Sequence, residues 1–253
     1  MDKQTAGSFV IGNPKAVLAK TGFTGAHNIF NGRFGFLELY QPNGHDSARL
    51  TDAIGTVFAG EELSYKPYPC GRPLHGAIDA ALAARSALGI RSAADIGLVT
   101  IDADPSGHAD QFGSPAKKRP TQVVEAQFAQ PFLVATALVN GRVSIADVDG
   151  LGSPEVLALS DRIEGTATAS RAAKSLSITV RHVDGRSVTV EATDPIGSPS
   201  KPLSDVQFAD KFRDCAGNAI RPLDRADVEC SLETIAGLEN VPDVRVLMAP
   251  FQV

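Results

Sequence analysis

Several things are scarce in this chain, and each scarcity narrows the field. There is no surplus of basic residues: Lys+Arg is 24 against 29 for Asp+Glu, a net charge of −5. A general nucleic-acid binder needs an excess of cations to displace the counterions of the phosphate backbone, so no nucleic-acid partner is expected. The three cysteines, Cys70, Cys215 and Cys230, are an odd number at wide spacing with no CxxC pair. That argues against a structural zinc site and for reduced thiols in a cytoplasmic setting. No apolar run approaches the roughly 20 residues a membrane span requires, so no membrane partner is expected. The start, MDKQTAGSFVIGNPKAVLA, has a charged opening without a sustained apolar stretch, and no signal peptide is expected. Internal repeats and low-complexity tracts are absent too.

What remains is ordinary globular composition, 43% hydrophobic and 21% charged over 253 residues, enough chain to bury a substantial core. Asn13-Pro14 marks a helix start that continues through Ala16 to Lys20. Gly22, Gly25, Gly32 and Gly35 then punctuate a turn-rich segment anchored by Phe23, Phe30, Phe34 and Phe36. Asp46 to Val57 reads as a short helix. Near residue 60 the character changes. Leu63 to Pro69 should run extended, because Pro67 and Pro69 hold the residues before them out of the α region. A helix follows from Leu74 to Leu88 with Leu74, Ile78, Ala81, Leu82 and Leu88 on one side. Ile96 to Ile101 reads as a strand, and residues 104–119 as a loop.

The longest helical pattern spans Thr121 to Asn140, with Val124, Phe128, Phe132 and Val139 at helical spacing, a break or kink at Pro131 and a stop at Gly141. Ser153 caps a helix to Arg162, with Pro154 at its first position. Leu176, Ile178 and Val180 alternate with polar residues, as do Val188 and Val190. Asp184-Gly185 between the two runs predicts a β-hairpin with a type I′ turn. The hairpin is expected to pack on the 121–140 helix. After Gly197 to Pro202 breaks the chain, Ser204 caps a helix to about Ala216, and Asp224 to Gly237 gives another. The sum is an α+β chain.

Lys66-Pro-Tyr-Pro-Cys-Gly-Arg-Pro-Leu-His75 is the densest chemistry. It places a Lys, a Tyr, a Cys, an Arg and a His on a rigid turn entering a helix. Lys66 as a point charge and Arg72 as a bidentate fork suit a carboxylate substrate. A histidine ordinarily titrates near neutrality, so His75 could serve as acid or base. The competing reading is a proline-rich joint with a buried structural histidine and two solvated cations. Gly32-Arg-Phe-Gly-Phe36 does not link a strand to a helix, so no dinucleotide fingerprint is present. No nucleophile elbow occurs. His27, His45, His108 and His182 are scattered, and Lys117-Lys118-Arg119 reads as a solvated basic run.

Four collinear segments carry a resemblance: AVLAKTGFTGAHNIFNGRFGFLELY (16–40), YKPYPCGRPLHGAIDAAL (65–82), EAQFAQPFLVATALVNGRV (125–143) and GSPSKPLSDVQFADKF (197–212). Together the chain resembles the MmgE/PrpD family, which includes 2-methylcitrate dehydratase, cis-aconitate decarboxylase and iminodisuccinate epimerase. The resemblance implies a small α+β lid-type domain, residues 61–202, inserted between remnants of an all-helical domain, residues 1–60 and 203–253. Family members are roughly twice as long, so an N-terminal half is expected to be missing. The implied chemistry is that of a lyase, a 2-methylcitrate dehydratase-type enzyme, using metal-free and cofactor-free acid–base catalysis on a small polycarboxylate. Lys66 and His75 match as catalytic residues. Arg72, Tyr68 and Phe132 stand as substrate-binding residues, Phe132 replacing a tyrosine common on the central helix. A homodimer, or association with the missing half, is the expected partner. The alternatives are an epimerase of an amino diacid, a non-catalytic truncated paralogue, or one subunit of a split enzyme.

Overall fold

The computed structural model describes residues 18–25, 27, 29, 30, 32–41 and 43–251. The chain divides into two compact units between Ala59 and Gly60.

In the first unit residues 18–20 are helical, while the expected helix start at Asn13-Pro14 lies outside the described residues. A short helix α1 (Phe36–Tyr40) buries only Leu37, and Phe23, Phe34 and Phe36 are exposed rather than acting as anchors. The helix expected over 46–57 is instead a single 3₁₀ turn, Ser47–Leu50, followed by turns. Ala53 and Gly55 both take positive φ, which no right-handed helix can pass through.

The second unit is mixed α+β. Helix α2 (His75–Leu88) packs its Ile78, Ala81, Ala84 and Leu88 side into the core and ends at Gly89 in the left-handed conformation. Strand β1 (Ile96–Ala103) follows. The segment expected to be a loop holds a helix, α3 (Pro105–Phe112). Asp104 accepts hydrogen bonds from the Ser106 and Gly107 amides, and Pro105 sits where no helical N–H is needed.

The 121–140 pattern is two helices, α4 (Val123–Ala126) and α5 (Gln130–Asn140). The break precedes Pro131 because proline costs nothing in a first turn, whose N–H groups have no intrahelical acceptor. It also separates the apolar spacing into two environments. Val124 and Phe128 are exposed, whereas Gln130 to Leu138 are buried on every side, as suits a helix with only Gln130 and Thr136 polar over that span. At the far end Arg85 donates to the Leu138 and Val139 carbonyls, a cation at a helix C-terminus. Helices α6 (Ile145–Asp149) and α7 (Pro154–Arg162) follow, both capped by serine.

Strands β2 (Glu164–Ala167), β3 (Leu176–His182) and β4 (Ser187–Glu191) complete a four-stranded mixed sheet in the order β2-β1-β3-β4. β1 and β2 are parallel, the other pairs antiparallel. Parallel neighbours need a crossover, and here it contains every helix from α3 to α7. The hairpin forms as expected, but Asp184 is not at positive φ and Gly185 is, so the turn is not type I′. The Arg186 carbonyl accepts from His182 N–H, closing a three-residue loop with a left-handed glycine.

The hairpin packs on α2, not on the 121–140 segment; α5 lies behind α2, and α7 packs on α5. The reason is depth: α5 is buried all round and takes the centre, while α2 presents one face to it and the other to the sheet. The outer sheet face is polar. Arg171 there reaches Asp102, Ser177 and Glu191 at once, which holds both carboxylates below their ordinary values. Lys117-Lys118-Arg119 is not simply solvated. The lysines donate to the Phe128 and Asp161 carbonyls, and Arg119 grips the Asp161 carboxylate.

Helices α8 (Asp205–Gly217) and α9 (Arg225–Ala236) end the chain with a 3₁₀ segment, Val244–Phe251. Arg213 joins α8 to Glu229 on α9 through two bonds of 2.8 Å.

Candidate functional site

The joint entering α2 is shaped by its prolines and by three outside anchors. Residues 63–66 have no regular structure and the chain bends over 67–70, so the extended run expected through Pro69 is not kept to its end. The Tyr65 N–H donates to the Gly197 carbonyl at 2.7 Å. The Tyr68 hydroxyl donates to Asp79 Oδ1 at 2.6 Å. The Gly71 N–H donates to the Gln127 carbonyl at 2.8 Å, in the break between α4 and α5. Gly71 leaves room for the Phe128 ring: a Cβ there would lie 2.9 Å from it, and the ring would have to move.

These anchors leave a cleft of about 270 Å³ lined by Lys66, Tyr68, Pro69, Cys70 and Gly71 from the joint, Gln127 and Phe128 from the break, and Lys211 from α8. A larger hollow of about 340 Å³ between Phe212, Leu223 and Phe251 is mainly apolar, with Arg221 its one lining charge. The smaller cleft is the candidate site because its chemistry converges. Two lysines face it, and no carboxylate is among its lining residues, in a chain whose net charge is negative. A cationic cleft with low-dielectric walls concentrates anions.

The groups beneath the cleft are neutral. Burial pushes the Cys70 thiol up to about 12, with Lys66 opposing the shift, so Cys70 is not a thiolate nucleophile near neutral pH. Burial and the neighbouring Asp79 raise the Tyr68 hydroxyl well above the ordinary tyrosine range. His75 is fully enclosed, its ring 5.2 Å from that of Tyr68. Its Nε2 lies 3.5 Å from the Cys70 carbonyl, and its Nδ1 is buried without a partner. Burial lowers its pKa to about 4, the Cys70 carbonyl working against the shift and the Arg72 and Lys66 charges with it.

Of the residues singled out in the sequence, Lys66 and Tyr68 line the cleft, and His75 sits under its floor, shielded from it. Arg72 opens the 3₁₀ turn before α2 and donates to Ser64 Oγ at 3.1 Å, outside the cleft lining. Phe132, expected to touch substrate, is fully buried in the core of α5, because the helix on which it sits is enclosed on all sides. Sequence reasoning did not single out Lys211, Gln127 or Phe128. Lys211 was within reach: it is the next-to-last residue of the GSPSKPLSDVQFADKF segment, 145 residues from Lys66, and only folding sets the two facing one cleft.

Among the described residues no helix is long and apolar enough to cross a membrane, and no group of three or more His, Cys, Asp or Glu could hold a metal ion. The pattern of the MmgE/PrpD C-terminal domain matches residues 68–234, a span that includes every cleft residue except Lys66. No curated protein matches the chain.

Proposed function

This chain belongs to the MmgE/PrpD family, and from that premise we propose that it supplies the carboxylate-binding wall of a lyase acting on a small polycarboxylate, of the 2-methylcitrate dehydratase type. The observation that carries the reading is the pairing of Lys66 and Lys211 across one cleft without a lining carboxylate. In such a reaction a base removes a proton from the carbon next to a carboxylate, and negative charge spreads onto that carboxylate. Hydroxide then leaves the neighbouring carbon as water, taking up a proton and leaving an alkene. Lysine ammonium groups facing the carboxylate stabilise the charge where it develops. Phe128 and Pro69 give the cleft an apolar side, which suits the carbon skeleton of the substrate. In this reading residues 61–202 form the lid-type domain.

The cleft lining supplies cations but no evident base. His75 is enclosed and uncharged near neutrality, and Tyr68 is committed to Asp79. This favours a second reading, in which the chain binds the substrate and the proton-abstracting group comes from a second copy, from an N-terminal half, or from another subunit. A non-catalytic carboxylate-binding paralogue is the limiting case.

The test is binding and turnover by the purified chain with 2-methylcitrate, cis-aconitate and iminodisuccinate, read by calorimetry and by product analysis. Replacing Lys66 or Lys211 with Met is expected to weaken binding about tenfold each, the loss typical of one charge-assisted hydrogen bond. Saturable turnover of 2-methylcitrate supports the dehydratase. Binding without turnover supports the second reading. Binding insensitive to both lysines removes the cleft from consideration.

A further inference from the structure

Lys66 is a solvent-exposed side chain on a long flexible stem, yet the segment that carries it is closely held. Two residues flank it at short range, and each is tied to the same turn of the chain. On one side the Tyr65 N–H donates to the Gly197 carbonyl at 2.7 Å. On the other the Tyr68 hydroxyl donates to Asp79 Oδ1 at 2.6 Å, and Asp79 Oδ2 accepts the N–H of Ile196, the residue before Gly197, at 2.8 Å. The result is a closed circuit, Tyr65 to Gly197 to Ile196 to Asp79 to Tyr68, with Lys66 and Pro67 inside it. We infer that Asp79 is a positioning residue for Lys66: through Tyr68 and the Ile196–Gly197 turn it sets where the lysine stands in the cleft. This inference rests on the reading of the cleft as a carboxylate site.

Three features point to position rather than to bulk stability. The carboxylate is chemically required, because both of its partners are donors and each takes one oxygen. An amide would offer one acceptor and turn its NH₂ toward the other donor. The circuit is drawn tight at Gly197, which is at φ +88°, where a Cβ would lie 2.1 Å from the Tyr65 carbonyl oxygen. The base of the circuit is rigid: Asp79 stands on α2, whose Gly76 packs against the Thr193 backbone, with only 3.2 Å between a Cβ placed there and the Thr193 oxygen. A group held this way loses little freedom when an anion arrives, and displacing it by about 1 Å weakens the site without unfolding it.

The experiment is a double-mutant cycle with citrate as the probe anion, its affinity measured by calorimetry for the wild-type chain, Asp79→Asn, Lys66→Met and the double variant. Asp79→Asn is expected to weaken citrate binding roughly tenfold where Lys66 is present and less than about twofold in the Lys66→Met background, since coupled residues are non-additive. Equal weakening in both backgrounds, or none in either, overturns the inference. Tyr68→Phe, which removes one hydroxyl and no packing, is expected to follow the same pattern. An effect of Tyr68→Phe that persists without Lys66 would mean the tyrosine itself meets the anion, and would overturn the route through Tyr68. Amide hydrogen exchange separates failure of the inference from failure of the cleft. Should wild-type chain not bind citrate, the carboxylate reading falls, and Tyr65 N–H still reports on the circuit. Its exchange is expected to accelerate at least about tenfold in Asp79→Asn while the α5 amides stay protected. Unchanged exchange at Tyr65 overturns the inference whatever citrate does.

Discussion

Protonation of His75 should be the first acid-sensitive event in this fold, and its size follows from where the ring sits. The side chain has no exposed surface, and its Nδ1 has no hydrogen-bond partner. Burial disfavours the imidazolium, so the pKa falls from the ordinary 6.5 to about 4 in the folded chain. The unfolded chain therefore takes up a proton near pH 6.5, whereas the folded chain refuses it until about pH 4. Between those values the unfolded state binds more protons, so stability falls as the pH drops. The linkage relation gives a loss of about 2 kcal/mol on going from pH 7.5 to pH 5. Carboxylates that hydrogen bonds hold below their ordinary values, such as Asp102 beside Arg171, act in a different window. Their contribution is intact above about pH 4 and fades below it. His75→Leu removes the titrating group and its orphaned nitrogen while nearly conserving volume. At pH 7.5 the variant should stay within about 1 kcal/mol of the wild type, because an unpaired buried polar atom is lost as well as a ring. At pH 5 it should be the more stable of the two. Urea denaturation followed by circular dichroism at a series of pH values measures the difference directly. Parallel stability–pH curves for the two proteins between pH 7.5 and 5 would refute the assignment of His75 as a buried neutral histidine.

Phe132→Ala should cost roughly 3–5 kcal/mol, the range for emptying a fully enclosed aromatic site. A loss under about 1 kcal/mol in urea melts would show that the ring is not a core residue. Gly197→Ala should destabilise by about 1–3 kcal/mol, because the new Cβ meets a backbone carbonyl that cannot swing aside and the φ is left-handed; an unchanged midpoint would contradict the close approach. Gly71→Ala should behave differently. Its Cβ meets only the ring of Phe128, a half-exposed side chain free to rotate, so stability should change by less than about 1 kcal/mol. Anion affinity should drop as the ring moves into the cleft, and a large loss of stability with unchanged affinity would be the opposite of this expectation.

The local elements were legible in the sequence because their signals are local. Ser153-Pro154 and Ser204 with Gln207 announce helix starts through bonds made within four residues. The alternation of Leu176, Ile178 and Val180 needs only a one-sided sheet. Three of the four collinear segments fall in or overlap the span 68–234 that matches the family, while 16–40 lies outside it, and the Lys66–His75 stretch already held five of the eight cleft residues. Asp104-Pro105 was also a local helix start, hidden inside a Gly/Pro/Ser-rich stretch whose composition suggests a loop. Other properties depended on what each element packs against. Val124 and Phe128 fit the helical spacing of Phe132, yet the break before Pro131 turned the first two to solvent and left the third enclosed. Periodicity reports that one face is apolar; it does not report how deep that face lies. His75 looks the same in sequence whether it stands in a cleft or under its floor, and only the cover of Tyr68 and Cys70 decides that it is neutral. The pairing of Lys66 with Lys211, and of Tyr68 with Asp79 and Ile196, joins residues up to 145 positions apart. No spacing rule reaches across such a distance, because the joint before α2, the break before α5 and α8 come to line one cleft only in the folded chain.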